Sequence, residues 1–150
     1  VSVGEEDHIK EAVETLGSLE MWKINIKPGK PFAFGTINEA AFLGMPGNPV
    51  SAWVTFALLC RPYLIKLAGG RSFKKNFSII ESDFNWLKKS DRLEFIRGKI
   101  LANGKLGIYE NQNSQILSSV CFSDGLIEVP IKTKIKKGSK VKFYPFSEIS

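Results

Sequence analysis

The sequence has 150 residues, 43% of them hydrophobic and 24% charged, and a formal net charge of +6 at pH 7. These values are ordinary for a globular protein with one domain or two small ones. No apolar run approaches the roughly 18 residues of a membrane-spanning helix and no signal peptide is visible, so we expect a cytoplasmic protein without a membrane partner. Two cysteines and one histidine without metal-ligand spacing argue against a zinc site.

Charge is distributed unevenly along the chain. Residues 1–70 carry slightly more acidic than basic side chains, whereas residues 71–150 carry nearly twice as many basic as acidic ones. The change falls near Gly69-Gly70, the most flexible dipeptide of the sequence. We therefore predict two domains, residues 1–70 and residues 71–150.

The first predicted domain has an α/β pattern. Apolar residues at helical spacing predict a helix over residues 5–17, with Gly17 as its C-terminal cap. Alternating and short apolar stretches predict strands over residues 20–27, 31–37 and 41–45. A hairpin turn is expected between the last two strands.

A second helix is predicted to follow these strands. Asn48 is placed to cap it, and Pro49 occupies the first helical position. The helix runs toward Lys66, and Pro62 is expected to bend or interrupt it. Its apolar residues lie nearly all round the helix, which indicates burial in a larger body.

The second predicted domain reads as all-β. Short stretches with strand-like composition predict strands at residues 92–101, 106–110, 114–122, 125–130 and 140–146. An Asn-Gly turn signal lies between the first two. This number and spacing of strands is typical of a small sandwich or barrel.

Two loops have the composition of anion sites. Lys27 and Lys30 lie on a loop whose φ angles are partly set by Pro28 and Pro31, and Gly29 allows close approach to its backbone. Such a loop suits phosphate or another oxyanion. The stretch PGNPVS then leads into a helix N-terminus, which also favours anions. The alternative is that both are tight turns with a surface lysine pair.

Three further side chains need interpretation: Asp7 has two readings, and Arg97 and Ser114 have one each. Asp7 is either an acid that stabilises the first turn of a helix or a carboxylate that holds Mg²⁺ against a phosphate. Arg97 has the pattern of a solvated strand residue, and Ser114 that of a loop serine. Neither pattern by itself assigns a function.

Longer stretches of the sequence resemble the molybdopterin molybdenumtransferase family, which includes bacterial MoeA and the E domain of gephyrin. The resemblance lies in GEEDHIKEAVE, IKPGKPFAFG and above all LGMPGNPVSAWVTFALLCRPYLIKLAG, and more loosely in DRLEFIRG through NSQILSS. It covers essentially the whole chain. It implies a Mg²⁺-dependent enzyme that takes adenylylated molybdopterin and molybdate, releases AMP and inserts molybdenum into the pterin dithiolate. It also implies a cytosolic homodimer.

The resemblance assigns roles to residues of this sequence. It implies that Asp7 and Lys27 are catalytic, with Asp7 assisting the metal or phosphate and Lys27 meeting molybdate or phosphate oxygens. The substrate-binding residues that it implies are Gly4, Lys30, Asn48, Pro49, Ser51, Arg97 and Ser114.

The sequence also departs from the family pattern. The two glycines that open the family's GGxSxGxxD loop are absent, as are the upstream domains. We therefore expect a C-terminal fragment, in which residues 1–70 form the latter part of a three-layer α/β domain and which is inactive alone. Near Ser114 the usual TGxQxS pattern is altered, and Glu110 stands at the Thr-Gly pair, where it would change anion affinity.

Other functions stay open. The pI of 9.3 and the lysine run between Lys132 and Lys142 are compatible with a nucleic-acid-binding domain, although that run has no interleaved base-reading or stacking residues. A non-catalytic anion-binding or scaffolding module, as gephyrin relatives provide for receptors, is the other alternative. On the family resemblance we expect no nucleic-acid partner.

Overall fold

The computed structural model describes residue 1 and residues 8–70 and 76–149. Its helices are α1 (His8–Leu16), α2 (Pro49–Thr55), α3 (Arg61–Leu67), α4 (Ser118–Cys121) and α5 (Phe146–Ile149), with a π-helical turn at Phe56–Cys60. Its strands are β1 (Gly17–Lys23), β2 (Ile26–Lys27), β3 (Pro31–Ile37), β4 (Ala40–Gly44), β5 (Ser78–Glu81), β6 (Leu93–Ile100), β7 (Leu106–Ile108), β8 (Gly125–Val129) and β9 (Lys140–Pro145).

A three-stranded antiparallel sheet, in the order β1-β3-β4, follows α1. The bounds of β3 agree with the predicted strand, and the predicted hairpin turn is present, with Asn38 at a φ of 53°. Gly17 is not a helix cap, contrary to expectation, because β1 begins there directly after α1. A Cβ atom on Gly17 would overlap the backbone carbonyl oxygen of Thr36, so this glycine permits close strand approach.

The helix after this sheet is continuous from Pro49 to Leu67 but changes its hydrogen bonding midway. In the π-helical turn the N–H of Arg61 donates to the carbonyl of Phe56, five residues earlier. One residue, Arg61, separates this turn from Pro62, which has no N–H to donate. The interruption predicted at Pro62 is therefore present as a π turn.

This 19-residue helix, with a mean hydropathy of 1.3, is long and apolar enough to cross a membrane by length and composition alone. The expectation that no segment approaches that length is therefore wrong. Its residues Val50, Val54 and Leu58 are buried in a protein core, and core helices of soluble proteins have the same composition. The helix is thus weak evidence for a membrane span.

The larger sheet has the strand order β2-β6-β8-β9-β5, with β7 paired to β6. A single bridge between Ser82 and Leu106 connects the ends of β5 and β7. Among the described strands no ladder closes the sheet, so it is not a closed barrel, and a sandwich stays a prediction. The strand predicted over residues 114–122 is wrong: this segment holds turns and α4. Serine hydroxyls there bond to local carbonyls, as Ser119 does to Ile116, which competes with strand pairing.

The two predicted domains share contacts across the proposed boundary. One core cluster joins the helix residues Val50 and Val54 to Phe95 of β6 and Leu126 of β8. A second cluster, including Ile96, Ile127 and Phe143, lies within the larger sheet and its loops. The consecutive residues Phe95 and Ile96 thus contribute to different clusters, as strand alternation requires. The boundary at Gly69-Gly70 stays a prediction.

Candidate functional site

A cavity of about 380 Å³ lies where the two anion-type loops meet the larger sheet. The segments that line it are the loop after β2, the start of α2, the first half of β6 and residues 112–114. The lining residues are Lys27, Pro28, Gly29, Lys30, Pro31, Asn48, Ser51, Arg92, Glu94, Phe95, Arg97, Gln112, Asn113 and Ser114. Four of these side chains are basic and one is acidic, so the cavity favours an anionic ligand.

The loop that carries Lys27 is held by backbone pairing and by close packing. Strand β2 pairs in parallel with β6, and Lys27 is the register partner of Glu94. Gly29 has a φ of +115°, and a Cβ atom on it would lie 2.5 Å from Cγ2 of Thr55. Thr55 is fully buried in α2. The loop therefore depends on a glycine at this position.

Lys27 and Glu94 form an ion pair at the edge of this cavity. Nζ of Lys27 lies 2.8 Å from Oε1 of Glu94, whose side chain is 5% exposed, whereas that of Lys27 is 43% exposed. The other carboxylate oxygen, Oε2, accepts a hydrogen bond from Nε1 of Trp86 at 3.2 Å. Both oxygens of this buried carboxylate therefore have partners.

Arg97 is the largest fully buried side chain in the described part of the protein, with 1% exposure. Its Nε donates to Oγ of Ser119 at 3.1 Å, and an Nη donates to the carbonyl of Asn113 at 3.4 Å. Burial lowers the pKa of Arg97 from its ordinary value to about 10, and the charge of Glu94 opposes this shift. The guanidinium is therefore charged at neutral pH.

Gln112 attaches the loop after β7 to strand β6. Its Oε1 accepts a hydrogen bond from the backbone N–H of Arg97, and its Nε2 donates to the carbonyl of Arg97, each at 2.9 Å. The same Nε2 donates to the carbonyl of Tyr109 at 2.7 Å. The Gln112 side chain thus makes the hydrogen bonds to Arg97 that a neighbouring strand would make, and it holds residues 112–114 against the cavity.

The start of α2 forms the opposite wall. Asn48 has the extended backbone of an N-cap residue, but its side chain makes no capping hydrogen bond, contrary to expectation. Its Nδ2 instead donates to Oγ of Ser114 at 3.3 Å. Ser51 lines the same wall and is buried, at 4% exposure.

Comparison with known proteins identifies the family of this chain. Residues 1–66 match the family described as "Probable molybdopterin binding domain", and residues 80–146 match the "MoeA C-terminal region (domain IV)". The chain belongs to the molybdopterin molybdenumtransferase family. Both parts of the cavity wall fall within these matched regions.

Relatives and solved structures agree with this assignment. The chain is 40% identical to a molybdopterin molybdenumtransferase of Haemophilus influenzae, over 99% of this chain and 38% of the relative. It is 35% identical to the molybdenum cofactor synthesis protein cinnamon of Drosophila melanogaster, over 98% of this chain and 26% of the relative. The structure of the molybdopterin biosynthesis MoeA protein of Pyrococcus horikosii superposes with a TM-score of 0.76 and 26% identity, over 91% of this chain and 34% of that one.

The chain therefore spans well under half the length of these members of the molybdopterin molybdenumtransferase family. It has mixed α/β architecture.

Most of the predicted site residues that the structure describes line one cavity. They are Lys27, Lys30, Asn48, Ser51, Arg97 and Ser114. Pro49 is the first residue of α2 and lies beside this wall without lining it. Asp7 and Gly4 lie outside the described residues. The roles assigned to all of these residues stay predictions.

The described part of the cavity does not fit Mg²⁺. Residues 8–70 and 76–149 contain no group of three or more His, Cys, Asp or Glu side chains that could hold a metal ion. Glu94 is the one carboxylate among the lining residues, and both of its oxygens already have partners. Mg²⁺ prefers several oxygen ligands in octahedral geometry, and these lining residues do not supply them.

Sequence reasoning missed several residues of the cavity. Glu94 and Arg92 lie on or beside the predicted strand that carries Arg97, but the sequence alone did not show that they face the site. Gln112 was within the altered TGxQxS stretch and received no role. No sequence signal identifies Glu94, because residues three apart on one strand, such as Glu94 and Arg97, are expected on opposite faces.

Proposed function

We propose that this chain forms the oxyanion-binding part of a cleft that inserts molybdate into adenylylated molybdopterin with release of AMP. The observation that carries the proposal is the convergence of Lys27, Lys30, Arg97 and Ser114 on one cavity. Molybdate is a tetrahedral dianion, and lysine, arginine and hydroxyl donors suit its oxygens. The family supports this reaction class because homologues are named molybdopterin molybdenumtransferase.

Charge neutralisation is the chemistry that these side chains offer. Cleavage of a phosphoanhydride depends more on stabilising developing negative charge than on a protein nucleophile. Within the described structure Lys27 pairs with Glu94 alone, which leaves two of its three N–H donors for a ligand. Arg97 adds a positive charge that stays ionised well above neutral pH. We therefore assign these two side chains to the oxyanions of substrate and molybdate.

The role of Asp7 as the metal ligand is a separate proposal. It rests on the family pattern, and its test is the Mg²⁺ dependence of AMP release by Asp7→Asn in the complete gene product. A much higher Mg²⁺ requirement would support the role. An unchanged Mg²⁺ dependence would refute it. Replacing Gly4 by valine tests the same loop without removing charge.

The complete protein is proposed to be a cytoplasmic homodimer in which upstream segments complete a three-layer α/β domain around residues 1–70. On this view the 150-residue chain alone releases no AMP. Light scattering of the complete gene product in solution measures its mass, and a monomeric mass would contradict the dimer. Molybdate-dependent AMP release by the isolated chain would contradict its inactivity.

The deciding experiment uses the complete gene product with adenylylated molybdopterin, Mg²⁺ and molybdate, and follows AMP release. Lys27→Ala alone would leave the buried Glu94 carboxylate without its cationic partner, which is destabilising. The double variant Lys27→Ala/Glu94→Gln removes both charges and is the better test. Lys66→Ala, an exposed lysine of α3 that does not line the cavity, is the matched control.

We expect molybdate to stimulate AMP release by the wild type and by Lys66→Ala, and the double variant to lose this stimulation. A folded wild-type protein that releases no AMP would refute the proposed reaction. The non-catalytic anion-binding or scaffolding function would then be preferred.

A further inference from the structure

We propose that Glu94 is a positioning residue, which fixes the Lys27 ammonium for its contact with substrate oxyanions and is itself fixed by Trp86. The inference deepens the proposed function and rests on it. It concerns two side chains, Glu94 and Trp86, that neither the sequence motifs nor the similarity to relatives assigns.

Glu94 is an unexpected group in a cavity that favours anions. It is a carboxylate with 4% exposure, and it lies among four basic lining residues. Its negative charge repels an oxyanion, and burial of a carboxylate is costly unless the group is paired and hydrogen-bonded. A buried carboxylate at this place therefore has to serve its partners and not the ligand.

Glu94 and its two partners come from three separate segments of the chain. Lys27 belongs to β2, Glu94 to β6, and Trp86 to the loop between β5 and β6. Parallel pairing sets Lys27 opposite Glu94 in the backbone register. The backbone of Trp86 is anchored in turn, since its N–H and carbonyl both bond to Ile135, at 2.8 Å and 2.9 Å. Glu94 therefore cannot rotate without breaking a hydrogen bond on one side.

This arrangement restrains a side chain that is otherwise mobile. Lysine has a flexible four-carbon stem, so an ammonium group without a fixed partner samples many positions. The 2.8 Å bond to Glu94 holds the Lys27 ammonium at the cavity edge, while the 43% exposure of its side chain leaves it open to a ligand. Orientation of this kind accelerates reactions because it removes an entropic cost before the chemical step.

A positioning role for Glu94 and a purely electrostatic role predict different changes in kcat and in KM for molybdate. Glu94→Gln removes one negative charge, so the cavity becomes more positive and binds molybdate at least as well as before. The same variant loses the charged anchor of Lys27, so the reacting groups are misplaced. We expect kcat for AMP release to fall by about tenfold to hundredfold, the effect of misplacing a group by about 1 Å, while KM for molybdate stays equal or falls.

The experiment measures kcat and KM for molybdate in the complete gene product, with the wild type, Glu94→Gln and Trp86→Phe. Trp86→Phe keeps the pair between Lys27 and Glu94 but removes the N–H that holds Oε2. It should lower kcat in the same direction and by less. Glu39→Gln is the matched control, because Glu39 is an exposed carboxylate in the turn between β3 and β4 and does not line the cavity.

Different outcomes separate the two proposals. A wild-type protein without molybdate-stimulated AMP release overturns the proposed function and this inference with it. An active wild type with Glu94→Gln unchanged in kcat, or changed only by a higher KM, overturns the positioning role alone. An equal kcat loss in Glu39→Gln also overturns it, since the change of net charge alone would then explain the effect. If Glu94→Gln does not fold, Trp86→Phe decides, and wild-type kcat in that variant overturns the inference.

Discussion

The backbone carbonyl of Ser114 accepts a hydrogen bond from the backbone N–H of Val50 at 3.1 Å. Val50 lies in the first turn of α2, where an N–H group has no partner within its own helix. A loop of the larger sheet therefore satisfies a helix terminus in the other part of the chain. Together with the bond from Asn48 to Oγ of Ser114, this contact closes one side of the cavity.

Loss of the Gln112 side chain should release that loop. Gln112→Ala removes three hydrogen bonds to the backbone of Arg97 and Tyr109. At about 1 kcal/mol for each bond, we expect a loss of roughly 2–3 kcal/mol in the free energy of unfolding, measured with urea, and weaker molybdate binding. Gln115→Ala, with an exposed side chain in the same segment, should leave both unchanged. Equal stability of the two variants would contradict the role of Gln112.

A methyl group at Gly29 should displace the lysine loop. The φ of +115° is unfavourable for any residue with a Cβ atom, and this atom would lie 2.5 Å from Thr55. We expect Gly29→Ala to lower the free energy of unfolding by about 1–3 kcal/mol and to weaken molybdate binding. Calorimetric titration with molybdate and urea unfolding measure the two effects.

The matched control for this variant is Gly47→Ala. A Cβ atom on Gly47 meets no atom within 4 Å, and its φ lies outside the left-handed region. The substitution should therefore be tolerated. If Gly29→Ala behaves like Gly47→Ala, the loop does not depend on its glycine.

Local sequence patterns predicted those helices and strands that are determined by residues close together in the chain. Strand β3 lies where it was predicted, between Pro31 and the hairpin turn. The π-helical turn near Pro62 reflects the backbone N–H that proline lacks. The strand expected at residues 114–122 failed because serine hydroxyls such as that of Ser119 bond to nearby carbonyls. Strand β5 was missed: it pairs only with β9 in the described ladders and is half exposed, so its sequence carries little pattern.

Several residues that line the cavity were named from the sequence, but the way in which they contact one another was not. The family resemblance implied that Lys27 meets molybdate or phosphate oxygens and that Arg97 binds substrate, and both line the same cavity. The buried pair of Lys27 with Glu94 depends on parallel pairing of two strands from distant parts of the sequence. No local pattern contains that register, so neither Glu94 nor Trp86 could be assigned before the fold was known.

The two cysteines should differ in reactivity and in their effect on stability with pH. Cys60 is buried, and burial raises its pKa above the ordinary value of 9.0, whereas Cys121 is exposed. In the unfolded state Cys60 ionises at lower pH, so its contribution to stability is present below pH 9 and is lost as the pH rises further. We expect Cys60→Ala to flatten the decline of the free energy of unfolding above that pH.

Mass-spectrometric mapping after brief alkylation of the native protein checks the same difference directly. Cys121 should be labelled and Cys60 should not, until the protein is unfolded with urea. Equal labelling of both thiols in the native state would contradict the burial of Cys60.

Removal of the Ser119 hydroxyl should leave the buried guanidinium of Arg97 without a partner for Nε. This bond is 3.1 Å long, and both residues are almost fully buried. Because an unsatisfied buried donor costs about 1–3 kcal/mol, more when charged, we expect Ser119→Ala to lower the free energy of unfolding by at least that amount. Molybdate should also bind more weakly, since the guanidinium loses its orientation. Ser118→Ala, the exposed neighbour in α4, is the control, and identical urea midpoints and molybdate affinities in the two variants would show that Ser119 does not orient Arg97.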